Sequence, residues 1–162
     1  MTKTPEKFSK AQIYLHWIVV ALVAFQYLLS DGISSLWEKR MDNLIPNEPS
    51  FNPHVLVGVI ILLLALWRLF LRFKHGVPAL PASENKIASL VAKATHILFY
   101  VLLIGMPFSG AGAWFLGIEQ LADLHALASN IFLALIIIHI LAALLHHFVL
   151  KTNVLRRIVG MK

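Results

Sequence analysis

The chain has 162 residues, 59% of them apolar and 14% charged, with a net charge of +6. Soluble globular domains carry about 45–50% apolar and about 25% charged residues. A body this small buries too little surface to hide the excess, so a water-soluble globule is excluded and an integral membrane protein is expected. No cysteine is present, which removes disulfides, iron–sulfur clusters, thiolate zinc sites and covalently attached c-type haem.

Four segments, 11–30, 49–67, 94–118 and 124–150, contain no Asp, Glu, Lys or Arg. A spanning helix needs about 20 predominantly apolar residues, so the expected fold is all-α: one membrane domain over 1–162. Its four-helix bundle has spans at about 11–31, 52–72, 88–110 and 123–149. None of the four segments has the polar face that a surface helix of a soluble protein keeps. Asn52-Pro53 supplies a capping side chain and a first-turn proline to the second helix, and Asp123 is placed to cap the fourth. Pro107, flanked by Gly105, Gly110 and Gly112, is expected to bend or end the third. The segment 31–52 reads as the one sizeable extramembrane loop, and the stretch around Pro78 and Pro81 as a semi-rigid link.

Twelve of the fourteen basic residues fall at one end of this arrangement: before the first span, between the second and third, and after the fourth. Only Lys39 and Arg40 fall at the other, together with Asp31, Glu38, Asp42, Glu48, Glu119 and Asp123. Basic residues are retained on the cytoplasmic side, so both termini are expected there. The positive charge therefore follows a membrane, and no nucleic-acid partner is expected.

Histidines inside the spans are the functional candidates, because an ionisable group in lipid is costly unless it is used. His125 and His139 lie 14 residues apart on the fourth helix, which is four turns less 40° and an axial separation of about 21 Å. They share a face at two depths. His54 begins the second helix level with His125, and His16 lies in the same half of the membrane as His139. Two histidine pairs at two depths suit two b-type haems, each iron held by two neutral imidazoles. Gly58, one turn from His54, leaves space for a flat macrocycle. Carboxylates for a zinc or di-iron site are absent from the spans. Histidines that simply hydrogen-bond between helices are the other reading the spacing leaves open.

The residues His16-Trp17, His54 with Gly58, Trp67-Arg68-Leu69 with Arg72, the His125 to His139 spacing, and Leu145-His146-His147-Phe148 followed by Lys151, Asn153 and Leu155 resemble the bacterial cytochrome b561 family along essentially the whole chain. The resemblance implies two haems b within the bundle, with His16 and His139 as iron ligands on the cytoplasmic side and His54 and His125 on the periplasmic side. It implies a multi-pass protein of the bacterial inner membrane, bedded in lipid, that passes electrons between the periplasmic side and ubiquinone. Some members are described as superoxide oxidases. This chain departs from them in a shorter connection at 112–122 and a longer first loop, and its outer side has few basic residues to attract an anion. The donor thus stands between superoxide and a periplasmic redox protein, the latter making the chain a non-catalytic electron-transfer subunit.

Further candidates surround this set. Arg68 is placed to pair with a propionate of the inner haem, although positive-inside anchoring explains it equally and is the better reading of Arg72. His146, two turns from His139, is placed for a quinone headgroup or a propionate, or as a competitor of His139 for iron. His147 points elsewhere near the same quinone end. His96 reads as a satisfied structural histidine, and His75 as solvent-exposed.

Overall fold

The computed structural model describes residues 5, 7–44, 52–79 and 86–160. The described residues form six helices: α1 (Lys10–Leu28), α2 (Ser30–Met41), α3 (Pro53–His75), α4 (Lys86–Leu116), α5 (Glu119–Phe148) and α6 (Val154–Val159). Four of them, α1, α3, α4 and α5, are long and apolar enough to cross a membrane. The fold is a helical membrane bundle.

Local chemistry sets the helix starts. Ser9 and Gln12 form a reciprocal capping box at α1: the Ser9 hydroxyl accepts from the Gln12 amide at 3.2 Å, and the Gln12 side chain accepts from the Ser9 amide at 2.9 Å. Asn52 caps α3 by accepting from Val55 N at 3.0 Å, with Pro53 in the first turn. Gly117, at φ 67°, turns the chain between α4 and α5 in a conformation that side chains with a Cβ avoid.

Two sequence expectations are corrected. The third span does not stop near residue 110: α4 carries Pro107 inside it and continues to Leu116. Proline removes one helical hydrogen bond, to the Leu103 carbonyl, but its fixed φ is helical, and packing against α5 holds the remainder. Nor is 31–52 simply a loop, because residues 30–41 form α2. Residues 45–51, Pro81 and the first residues of the chain lie outside the described residues.

Neighbouring helices run antiparallel, α1 beside α3, α3 beside α4, and α4 beside α5. The ring closes where Tyr27 Oη of α1 donates to the Ser129 carbonyl of α5 at 2.8 Å. A narrow core of Val19, Val57, Ile61, Ala65, Leu103 and Phe132 lies on the bundle axis. Large apolar side chains such as Leu63, Phe73 and Ile138 face outward, as they do where lipid replaces the partner surface. At the end bearing the termini, Gln12 Nε2 donates to the Gly76 carbonyl at 3.0 Å, and Trp17 Nε1 to the Ile158 carbonyl at 3.0 Å, drawing α6 back onto α1.

Candidate functional site

Near the end away from the termini, α1, α3, α4 and α5 enclose a cavity of about 570 Å³ whose walls include Tyr27, His54, Gly58, Trp114, His125 and Phe132. Cofactor cavities run to about 300–1,000 Å³. The imidazoles of His54 and His125 stand 6.1 Å apart between ring centres and 71° apart in plane. Two metal–nitrogen bonds of about 2 Å, with the distance from each nitrogen to its ring centre, bring two imidazoles on one metal ion to much the same spacing.

The orientation of His125 follows from its backbone partner. Its Nδ1 lies 2.9 Å from the Met106 carbonyl and 3.3 Å from Ser109 Oγ. A carbonyl only accepts, so Nδ1 carries the proton and Nε2 keeps its lone pair. This is the support that a metal-bound histidine characteristically receives. Gly110 makes room for it: a Cβ there would lie 3.0 Å from His125 Cε1.

The mouth of the cavity is covered by α2. Ser30, Ser34, Trp37 and Glu38 contribute to its wall. Arg40 is only 5% exposed, donates to the Trp114 carbonyl, and lies with its guanidinium 5.5 Å from the Trp114 ring centre. One of the two basic residues expected on this face is thus spent on fastening α2 to the end of α4.

The second cluster lies toward the termini. His16 of α1 is within electrostatic reach of Arg68, His139 and His96. His139 meets the His96 ring at 5.5 Å and the Phe99 ring at 5.3 Å, both nearly perpendicular. His96 is itself pinned by the Ala92 carbonyl, 2.7 Å from its Nδ1. Arg68 lies within electrostatic reach of the Tyr100 side chain, and Arg72 lies 5.9 Å from the centre of the same ring. Phe99 also packs edge-on against Phe132 at 5.6 Å, so aromatic side chains run from His139 to the wall of the large cavity.

A family model described as prokaryotic cytochrome b561 matches residues 7–161. The chain belongs to the prokaryotic cytochrome b561 family. It is 33% identical over 159 residues to the cytochrome b562 of Cereibacter sphaeroides, covering 98% of each chain. It is 30% identical over 183 residues to the probable superoxide oxidase CybB of Yersinia pestis, covering 97% of this chain and 98% of that one. With the cytochrome b561 homolog 1 of Escherichia coli the identity is 29% over 178 residues, covering 94% and 97%. As a prokaryotic cytochrome b561 the chain is a multi-pass bacterial inner-membrane protein of electron transfer that binds haem b.

In this member of the family, His146 turns its Nδ1 to Thr152 Oγ1 at 3.0 Å, beyond the end of α5, and His147 packs against Phe148 at 4.7 Å. Neither is part of the His16–His96–His139 cluster described above. Sequence reasoning missed the closeness of His96 to His139. The available signal was depth, since both lie in the same half of their spans. It also passed over Gln26, an amide inside a spanning helix whose Nε2 donates to the His54 carbonyl at 3.0 Å. A polar side chain at such a position is a candidate by its cost alone.

Proposed function

We propose that the chain holds two haems b, one toward each face of the membrane, and carries electrons from a periplasmic donor to the quinone pool. His54 and His125 would hold the outer haem, and His16 and His139 the inner one. The observation that carries the reading is the facing of the His54 and His125 rings at 6.1 Å in the wall of a 570 Å³ cavity. Haem iron held by these imidazoles would supply one-electron chemistry.

The chain's own side chains then bind, orient and insulate. Met106 and Gly110 hold His125 with its Nε2 free, Trp114 and α2 cover the outer cavity, and Phe99 and Phe132 fill the space toward His139. Arg68, held beside Tyr100 and within reach of His16 and His139, is the donor for an inner propionate. His146 and His147, near the basic inner surface, stand at the quinone end. Ubiquinone is the acceptor, and both termini are cytoplasmic in accordance with the basic residues.

Superoxide is the donor supported by the likeness to the probable superoxide oxidase of Yersinia pestis. It makes the chain an oxidoreductase of the superoxide:ubiquinone type. A docked periplasmic redox protein is the second reading. Burial of Arg40 favours it, because a small anion is steered by exposed positive charge. The test begins with the purified protein, expected to be red with about two haems per chain; a colourless preparation overturns the proposal. Superoxide and a soluble quinone are then supplied together. Quinol above the spontaneous rate supports superoxide as donor, and none above it leaves the docked partner.

A further inference from the structure

The two imidazoles that face each other across the outer cavity are supported unequally. His125 has the Met106 carbonyl at its Nδ1. His54 Nδ1 is sealed from solvent and has no hydrogen-bond partner among the described residues. A second sealed, unpartnered atom is Gln26 Oε1, and Gln26 is already fastened to the same residue, donating from Nε2 to the His54 backbone carbonyl at 3.0 Å. That carbonyl can only accept, so the amide nitrogen must face it and the amide oxygen is the end left over.

The pair is complementary. A histidine whose Nε2 is given to a metal carries its proton on Nδ1 and needs an acceptor there, while a buried amide oxygen needs a donor. Gly58 faces the same amide, where an added Cβ would touch Gln26 Nε2 at 3.4 Å. The third sealed and unpartnered atom is Asn52 Nδ2, at the cap of the same helix. The three amount to two N–H groups in want of an acceptor and one amide oxygen in want of a donor.

We infer that Gln26 is the positioning residue of His54, its Oε1 being the acceptor that the His54 Nδ1–H takes, directly or through a water, once the imidazole holds the outer haem, and so the group that tunes the basicity of that imidazole. The inference rests on the assignment of His54 as an outer-haem ligand. An acceptor at Nδ1 makes the opposite nitrogen a stronger donor, which stabilises the ferric state, so loss of the acceptor raises the midpoint potential of that haem alone.

Redox titration of the intact purified protein tests this, reading the α-band of each haem. The component that disappears in His54→Ala identifies the outer haem. Gln26→Met, similar in size but lacking the acceptor, is expected to raise the potential of that component and leave the other unchanged. Gln26→Glu, which restores an oxygen at the same reach, is expected to return it to or below the wild-type value. An outer potential unmoved by Gln26→Met overturns the inference, as does a shift in the same upward direction for both variants, which marks a packing effect. Should His54→Ala keep both components, the ligand assignment itself has failed and the inference falls with it.

Discussion

His125 Nδ1 lies 2.9 Å from the carbonyl of Met106, so the turn of α4 that contains Pro107 decides which nitrogen of a histidine on α5 is free. Gly110, one turn further along, lies directly against the same ring. The two contacts together fix the tautomer and the tilt of His125 without any charged partner in the membrane.

Gly110→Ala tests that fit. The new Cβ would stand 3.0 Å from His125 Cε1 and 3.1 Å from Nδ1. Overpacking of this kind costs about 1–3 kcal/mol, and the ring must move. On the two-haem proposal, outer haem occupancy is expected to fall while the inner haem stays, read from haem per chain and the α-band. Gly105→Ala, with nothing within 4 Å of its added carbon, is the control and should keep both haems.

Phe132 joins the outer cavity to the inner cluster through Phe99. It is 5% exposed, and its truncation to alanine is expected to cost about 3–5 kcal/mol. Electron equilibration between the two proposed haems should also slow in Phe132→Ala, followed by rapid-mixing absorbance, while Phe132→Leu, which keeps most of the filled volume, stays nearer the wild-type rate. Equal rates in wild type and Phe132→Ala would show that the packed bridge has no part in transfer.

Arg40 fastens α2 over the cavity. Hydrogen bonds to charged groups contribute about 1.5–3 kcal/mol, and a desolvated guanidinium over an indole adds about 2 kcal/mol or more. In Arg40→Ala, amide exchange across residues 30–41 is expected to accelerate while exchange in α3 and α5 does not. Unchanged exchange in α2 would mean that Ser30, Trp37 and the junction with α1 hold it unaided.

At the inner cluster, Tyr100→Phe removes the hydroxyl within electrostatic reach of Arg68 and keeps the ring that lies beside Arg72. The inner haem component is expected to shift in potential with the outer one unmoved. A shift of the outer component instead would place Arg68 with the wrong haem.

Much of this architecture was legible in the sequence because lipid imposes a simple demand. Every spanning residue must be apolar or used, so charge-free runs mark the helices and histidines within them mark the candidate sites. The 14-residue interval between His125 and His139 likewise sets their common face and separate depths, since helical pitch is fixed by the backbone. Even α2 left a trace: Ile33, Trp37 and Arg40 recur at helical spacing, and Arg40 is fully buried against α4 while Ile33 and Trp37 are partly covered.

What the chain order alone could not decide is how each helix is rotated against its neighbours. Pitch places a residue on its own helix, whereas the partner across the bundle depends on packing contacts distant in sequence. Hence the Met106 carbonyl beside His125, the closeness of His96 to His139, and the amide of Gln26 against His54 emerge only from the folded bundle. The continuation of α4 past Pro107 is of the same kind, because a single lost backbone bond is outweighed by the surface α4 shares with α5.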